Sequence, residues 1–247
     1  MNYLIIGASS GLGRELAYTF AKNNNNLIIS SRDAKDLNAI KSDLENKYKI
    51  KVKTLPLDFS SIDNINSILL SDSDLLEKID GVLFPVGLMF ENDGVDLDIK
   101  DSHLIFQSNF LSISYTISKL TKYLTRKEDG FIVGFGSISG YLGRKLNSNY
   151  AASKRALESY FESLAFENKE TQLKIQFYIL GYIETNLSFG KNLNLPKGST
   201  SKLAKIVYNN TKTKFKKKHF PRWWAPITLI LKIIPINILL KISNIFK

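Results

Sequence analysis

The chain contains no cysteine and only two histidines among its 247 residues. Disulfide bonds and thiolate metal sites are therefore excluded, and the composition is compatible with a reducing compartment. The C-terminal segment lacks a long uncharged run, because its longest such stretches cover nine residues (223–231) and eight (233–240). A membrane-spanning helix takes about 20 residues, so we do not expect this segment to cross a bilayer. The N-terminus lacks the features of a signal peptide, and we expect an unexported, cytoplasmic protein.

Acidic residues are missing from one end of the chain. Residues 202–247 hold eleven Lys and Arg and no Asp or Glu, whereas residues 1–201 carry 23 basic and 23 acidic residues. The whole net charge of +11 therefore belongs to the C-terminal segment. Such asymmetry indicates a polyanionic partner. We predict a catalytic domain over 1–211 and a basic, amphipathic helical tail over 212–247.

Short apolar runs alternate with amphipathic stretches along the predicted domain. The predicted strands cover 3–6, 27–30, 52–57, 81–84, 131–135 and 175–179, and the predicted helices cover 12–22, 34–47, 103–124 and 151–167. This alternation predicts βαβ units in a doubly wound α/β fold with a parallel sheet, the Rossmann arrangement. A ligand then binds at the carboxyl ends of the strands. The acidic stretch 91–101 lacks the ligand spacing of a calcium loop, so we expect a solvated loop and no metal site.

A glycine-rich turn, Gly7-Ala-Ser-Ser-Gly11-Leu-Gly13, follows the first predicted strand and opens the first helix. Glycine permits the tight turn and the close approach of a pyrophosphate, and the helix N-terminus offers unpaired N–H groups to that anion. The alternative is a turn that only packs helix on strand. We assign the following residues to a dinucleotide: Gly7, Ser9, Ser10, Gly11, Leu12 and Gly13.

The second predicted strand ends in Ser31 and Arg32, where an acidic residue would select NAD. A guanidinium beside a small hydroxyl suits a 2′-phosphate, so we predict NADP(H), with NAD(H) as the alternative. The competing interpretation is a surface pair between Arg32 and Asp33. Asp58, after the third strand, is a candidate for the adenine amino group or for a helix cap.

The reacting group is predicted from Tyr150-Ala-Ala-Ser-Lys154, with Ser137 thirteen residues upstream of the tyrosine. Tyr150 and Lys154 are separated by one helical turn and share a face. We expect the ammonium to lower the pKa of the phenol, which would then exchange a proton with the substrate oxygen. Lys154 can also donate to the nicotinamide ribose. Ser137 is placed to polarise a carbonyl, whereas an isolated Tyr-x3-Lys is usually a surface pair.

Over roughly residues 1–190 these motifs resemble the short-chain dehydrogenase/reductase family of the classical type. The resemblance implies a catalytic trio of Ser137, Tyr150 and Lys154, and a proton relay supported by Asn109. It implies further cofactor contacts from Gly87, Ile183 and Thr185, and a homodimer or homotetramer. Two family motifs are altered here, to Phe84-Pro-Val-Gly87 after the fourth strand and to Leu180-Gly181 after the sixth.

The tail combines a basic cluster at 212–218 with Trp223, Trp224 and an amphipathic pattern over 236–246. Basic residues, interfacial tryptophans and an apolar helical face predict peripheral binding to an anionic membrane, at its inner face. The alternatives are packing on the domain or dimerisation. Nucleic acid is not expected, because nothing that reads bases accompanies the lysines.

The ending also resembles the branch of the family that includes the decaprenylphosphoryl-ribose 2-keto reductase. The sequence thus predicts an NADPH-dependent reductase of a ketone, or the reverse alcohol dehydrogenase, acting on a lipid-linked keto sugar. The alternatives are a lipid or steroid-like ketone as substrate, and a catalytically silent nucleotide-binding scaffold.

Overall fold

The computed structural model describes residues 1–91, 93–94, 96–141, 147–184, 196–214, 217–235 and 237–238. The strands are β1 (Asn2–Ile6), β2 (Asn26–Ser31), β3 (Val52–Pro56), β4 (Gly81–Phe84), β5 (Phe131–Ser137), β6 (Lys174–Leu180) and β7 (Lys217–Phe220). The helices are α1 (Gly11–Lys22), α2 (Ala34–Tyr48), α3 (Ile62–Asn64), α4 (Ser73–Lys78), α5 (Ile99–Phe106), α6 (Ser112–Leu124), α7 (Ser148–Glu167), α8 (Thr200–Asn209) and α9 (Trp224–Ile233). π-helical stretches at Ile65–Leu70 and Gln107–Leu111 and a 3-10 turn at Ile138–Tyr141 complete the described elements.

The strands form one sheet in the order β3-β2-β1-β4-β5-β6-β7, and every neighbouring pair is parallel. The predicted doubly wound α/β fold is therefore confirmed. The strand order reverses between β1 and β4, where Tyr3 pairs with Leu27 on one side and with Gly81 on the other. A reversal of this kind opens a crevice at the carboxyl ends of the strands.

Both faces of the sheet are covered by helices, and this explains the nearly continuous apolar runs of the strands. Along β1, Leu4 and Ile6 pack in a cluster that contains residues of α6 and α7, whereas Tyr3 and Ile5 pack in a second cluster with α1, α2 and α8. Successive side chains of a strand point to opposite faces, so each apolar run supplies two cores.

Several elements were not predicted from the sequence. They include the helices between β3 and β4, helix α8 and strand β7. Of these, only β7 lies in the segment that we had assigned to the tail. β7 pairs with β6 through Tyr178 and Lys218, so the sheet extends beyond residue 211. Of its four residues only Phe220 is fully buried, which is why the Lys-Lys-His-Phe sequence carries no recognisable strand pattern.

Candidate active site

The loop between β1 and α1 has the backbone that its glycines predict. Gly7 and Gly11 adopt φ angles of +87° and +49°, which residues with a side chain rarely adopt. A Cβ on Gly13 would lie 1.9 Å from the carbonyl oxygen of Gly7, so only glycine lets α1 approach the strand this closely. Ser10 is the N-cap of α1 and makes no side-chain hydrogen bond to the helix. The first N–H groups of α1 are thus left available for an anion.

At the end of β2, Asp33 caps α2 instead of pairing with Arg32. Its carboxylate accepts hydrogen bonds from the backbone N–H groups of Lys35 (2.7 Å) and Asp36 (3.1 Å). Arg32 is exposed and forms no ion pair within the described part of the chain. Ser31 beside it is buried, and its hydroxyl donates to the carbonyl of Asp33 at 3.3 Å. Within the described ranges, no ion pair of the guanidinium would therefore compete with a phosphate.

Asp58 lies after β3, and one of its carboxylate oxygens accepts from the N–H (3.0 Å) and the hydroxyl (2.6 Å) of Ser60. Burial alone would raise the pKa of Asp58, but the two bonds from Ser60 and the positive charge of Arg32 outweigh it and lower the pKa. The carboxylate therefore stays ionised. The charge of Arg32 acts on Asp58 because β2 and β3 are neighbours in the sheet. These two cofactor candidates therefore lie close together.

The three predicted reacting residues come together at the ends of β5 and α7. Ser137 is the last residue of β5, and its hydroxyl donates to the hydroxyl of Ser139 at 3.1 Å. It lies close enough to Tyr150, near the start of α7, to influence the pKa of that phenol. The ammonium of Lys154 lies 5.9 Å from the centre of the Tyr150 ring. It donates to the carbonyl oxygens of Val86 (2.8 Å) and Phe135 (3.2 Å), after β4 and within β5.

The expectation that Lys154 lowers the pKa of Tyr150 is wrong for this geometry. Burial raises the pKa of Tyr150, and the nearby Ser137 side chain opposes that rise without cancelling it. Burial also lowers the pKa of Lys154 from 10.5 to about 8. The ammonium donates to two backbone carbonyls, and desolvation by burial has the largest effect on the pKa of both Lys154 and Tyr150.

Asn109, in the π-helical stretch after α5, is fully buried. Its side chain accepts from the N–H of Leu88 (2.7 Å) and donates to the carbonyl of Leu88 (2.8 Å) and to the hydroxyl of Ser153 (3.1 Å). It thereby clamps the loop after β4, which contains Gly87, against the helix that carries Tyr150. A part in a proton relay stays a prediction.

Sequence reasoning missed Asp93, which we had placed in a solvated acidic loop. Asp93 is fully buried. Its carboxylate accepts from the backbone N–H groups of Asn149 (2.9 Å) and Tyr150 (2.6 Å) and from the side-chain amide of Asn149 (2.8 Å). Asp93 thus caps α7 from a distant loop. The N-cap residue Asn147 itself makes no side-chain hydrogen bond to the helix. No local signal marks a cap that comes from elsewhere in the chain.

The segment after β6 forms the remaining wall. A Cβ on Gly181 would lie 2.0 Å from the indole nitrogen of Trp224, so α9 packs directly on this segment. Ile183 is buried and forms a β-bridge with Gly198. Thr185, predicted to contact the nicotinamide, lies outside the described residues. No group of three or more His, Cys, Asp or Glu suited to a metal ion occurs among the described residues.

A family model for short chain dehydrogenases matches residues 2–195. The NADP-dependent 3-hydroxy acid dehydrogenase of Schizosaccharomyces pombe is 31% identical over 187 residues, covering 75% of this chain and 72% of that protein. The 3-oxoacyl-[acyl-carrier-protein] reductase of Buchnera aphidicola is 30% identical over 193 residues, covering 78% and 76%. The very-long-chain 3-oxoacyl-CoA reductase of Vanderwaltozyma polyspora is 31% identical over 204 residues, and the match spans 75% of this chain but only 56% of that relative.

Solved structures resemble the fold over most of its length. A short-chain dehydrogenase from Sphingobium yanoikuyae in complex with NADPH superposes with a TM-score of 0.79 at 19% identity and covers 95% of this chain and 96% of that one. The 3-oxoacyl-[acyl-carrier protein] reductase of Brucella melitensis gives a TM-score of 0.76 at 19% identity, covering 88% and 89%.

Proposed function

The chain belongs to the short-chain dehydrogenase family and is an oxidoreductase of alcohol and ketone groups, and from that premise we propose that it reduces a ketone with NADPH. The observation that carries the proposal is the meeting of Ser137, Tyr150 and Lys154 beside the reversal point of the sheet. Bound NADPH would supply the hydride. The residues of the chain would orient the carbonyl and deliver the proton.

The raised pKa of Tyr150 suits reduction, because a phenol that stays protonated at neutral pH can donate its proton to the substrate oxygen. Ser137 lies close enough to Tyr150 to influence the pKa of the phenol, so we infer that both hydroxyls reach one carbonyl oxygen, which Ser137 polarises while Tyr150 protonates it. Lys154, with a pKa of about 8, keeps its charge in about nine molecules of ten at pH 7. Its place between the loop after β4 and the strand β5 suits a donor to the nicotinamide ribose.

NADP(H) is the cofactor that the end of β2 favours. An exposed guanidinium without an internal ion pair in the described region, next to the small Ser31, offers a site for a 2′-phosphate. The names of the Schizosaccharomyces relative and the Sphingobium structure specify NADP and NADPH for those proteins, which supports the same preference here.

We propose a ketone on a long acyl chain as the substrate. Two relatives are named as reductases of 3-oxoacyl groups, on coenzyme A and on acyl carrier protein. A lipid-linked keto sugar is the second candidate, and only the resemblance of the tail supports it. Wild-type enzyme given NADPH and either a 3-oxodecanoyl thioester or a polyprenyl-phosphate keto sugar should oxidise NADPH faster with the thioester. The reverse order would favour the sugar.

Replacing the proton donor tests the chemistry. Tyr150→Phe should reduce turnover of the thioester at least about a thousandfold while leaving the Kd for NADPH nearly unchanged. Tyr160→Phe is a matched control on the same helix, where the hydroxyl donates to Ser114 at 3.2 Å, and it should keep wild-type turnover. Tight NADPH binding by the wild type without oxidation of NADPH in the presence of any ketone would favour the silent scaffold.

Helix α9 supports peripheral binding to an anionic membrane. Leu229, Ile230 and Ile233 are 61%, 55% and 73% exposed, although its opposite face buries Trp224 and Thr228. An exposed apolar face on a surface helix indicates a site that binds a partner or a membrane. A second copy would bring a tail that also carries nine positive charges and no acidic residue, whereas an anionic lipid surface attracts those charges. No helix in the described ranges has the length and hydrophobicity of a membrane span.

Vesicle sedimentation tests this surface. The wild type should pellet with phosphatidylglycerol vesicles and not with phosphatidylcholine vesicles, and the double variant L229S/I233S should remain in the supernatant. Phe166→Ser removes an apolar side chain that is 78% exposed at the far end of α7, and it should bind like the wild type. Equal binding by L229S/I233S, or its conversion from dimer to monomer, would instead support a packing role.

A further inference from the structure

A buried carboxylate lies one helical turn beyond Lys154. Glu158 on α7 is 2% exposed, yet its oxygens have three donors. Oε1 accepts from the hydroxyl of Tyr141 (2.6 Å) and from Nζ of Lys217 (2.7 Å). Oε2 accepts from the guanidinium of Arg155 at 3.1 Å. None of these residues belongs to the proposed reaction chemistry.

The partners of Glu158 come from the two segments that flank the proposed active site. Tyr141 ends the 3-10 turn that begins directly after Ser137, and Lys217 begins the edge strand β7. Lys217 also contacts the carboxylate of Glu162 on α7 at 2.6 Å. One side chain therefore joins the turn after Ser137, the helix of Tyr150 and the C-terminal segment.

The C-terminal segment reaches the same turn a second time through the ring of Tyr141. The ammonium of Lys232, on α9, lies 4.9 Å from the ring centre, and the imidazole of His219, on β7, lies 6.2 Å from it. His219 is hydrogen-bonded through Nε2 to the hydroxyl of Thr228 on α9 at 2.8 Å. β7 and α9 are thus joined by the bond between His219 and Thr228, and both contact the ring of Tyr141.

A buried ion pair of this kind is not required for stability, because apolar residues of similar volume often serve as well. Burial alone would raise the pKa of Glu158, but the bonds from Lys217 and Tyr141 and the nearby charges lower it, so the group stays ionised. When three donors bind one ionised carboxylate, their positions around it are restricted to a narrow range. Such a group is suited to fixing the relative position of the segments that supply the donors.

We propose that Glu158 is a positioning residue that holds the 138–141 turn against α7 and so sets the placement of Ser137 relative to Tyr150. This inference rests on the proposed function. The sheet fixes Ser137 from one side, through the pairing of Ser137 with Leu180, and Glu158 fixes the turn that follows it from the other side. Through Lys217, the C-terminal segment becomes part of the active-site scaffold. Displacing reacting groups by about 1 Å can cost about a hundredfold in rate.

The test compares Glu158→Gln with Tyr141→Phe, which removes only the hydroxyl and is the safer variant for folding. With NADPH and the 3-oxodecanoyl thioester, both should lower kcat, Glu158→Gln about thirtyfold and Tyr141→Phe about tenfold, with the KM for NADPH within twofold of wild type. Amide hydrogen exchange of residues 138–141 should accelerate in both. The exchange measurement needs no turnover, so it tests the positioning even if the substrate proposal fails.

The matched control is Lys174→Met at the amino end of β6, whereas Ser137 lies at the carboxyl end of the neighbouring β5. Lys174 is 9% exposed and pairs with Asp129 at 2.8 Å, so its loss should lower the Tm without changing kcat or the exchange of residues 138–141. Wild-type kcat in folded Glu158→Gln and Tyr141→Phe would overturn the proposal. So would unchanged hydrogen exchange at 138–141.

Discussion

The two halves of the crevice are built differently. On the β1–β3 side, the candidate cofactor residues follow one another in short stretches, such as the glycine loop and the Ser31-Arg32 pair. On the β4–β7 side, the decisive contacts join distant parts of the chain: Asp93 binds Asn149 across 56 residues, Glu158 binds Lys217 across 59, and Lys154 binds Val86 across 68. The candidate cofactor site therefore depends on local backbone shape, whereas the alignment of the candidate reacting residues depends on tertiary contacts.

The largest effect that separates the two halves should come from Gly13→Ala. The added Cβ would meet the Gly7 carbonyl at 1.9 Å, and the loop would have to open, so the Kd for NADPH should rise on the order of 100-fold. Isothermal titration with NADPH measures this. As a control, Gly130→Ala produces a comparable clash, 2.2 Å from the Leu124 carbonyl oxygen. Gly130 directly precedes β5, at the amino end of that strand. The control variant should lower the Tm and leave the Kd unchanged; a similar loss of NADPH binding in both would mean that general destabilisation is the cause.

Lys154 lies where the halves meet, and its lowered pKa predicts a pH dependence of stability. Between pH 8 and 10.5 the unfolded chain keeps a proton that the folded chain has released, so the folded state gains stability as the pH rises through this window. Urea unfolding of wild type and Lys154→Met should give a free-energy difference that shifts by up to about 3 kcal/mol towards the wild type between pH 7 and pH 10. Parallel pH profiles would show that the lysine titrates normally.

On the cofactor side, Arg32→Asp should reverse the nucleotide preference. Loss of a charge-assisted contact to the 2′-phosphate costs about 2 kcal/mol, and a carboxylate at the strand end suits the free ribose hydroxyls of NADH. The ratio of kcat/KM for NADPH over NADH should fall about thirtyfold, as measured from initial rates. Arg14→Asp on α1 serves as the charge control. An unchanged ratio in Arg32→Asp would place the phosphate elsewhere.

The smallest effect should come from Asp93→Asn, which keeps the shape of the cap on α7 and removes its charge. We expect a loss of about 1 kcal/mol in unfolding free energy and faster hydrogen exchange at residues 149 and 150, because the two N–H groups lose a charged acceptor. Asp98→Asn alters an exposed cap of α5, which accepts from the N–H of Lys100 at 2.8 Å, and should leave α7 unchanged. If both variants exchange alike at 149 and 150, Asp93 does not hold the helix.

The sequence was informative wherever a structural requirement is local. The parallel sheet and strand β4 could be predicted because strands buried on both faces appear as short continuous apolar runs. The glycine loop could be predicted because positive φ angles favour glycine at the positions themselves. Asp93 could not be recognised, since an acidic residue in a polar stretch looks solvated until the fold carries it to a helix end. β7 was missed because an edge strand with two adjacent lysines depends on its neighbour β6 rather than on its own propensity.

The pKa of Tyr150 shows the same limit within the active site. The spacing of Tyr150 and Lys154 predicts proximity, and they are close. The direction of the ammonium depends on the carbonyls of Val86 and Phe135, which lie 68 and 19 residues away in the chain. Spacing therefore predicted the partners but not the electrostatics.

In the proposed reaction, Ser137, Tyr150 and Lys154 act together on a ketone beside a bound nicotinamide. This proposal is tested most directly by single-turnover stopped flow with NADPH deuterated at the transferred position of C4 and the 3-oxodecanoyl thioester. We expect deuterium on the new carbinol carbon in the wild type, with the rate reduced at least about a thousandfold in Tyr150→Phe. Wild-type rates of deuterium transfer in Tyr150→Phe would contradict it.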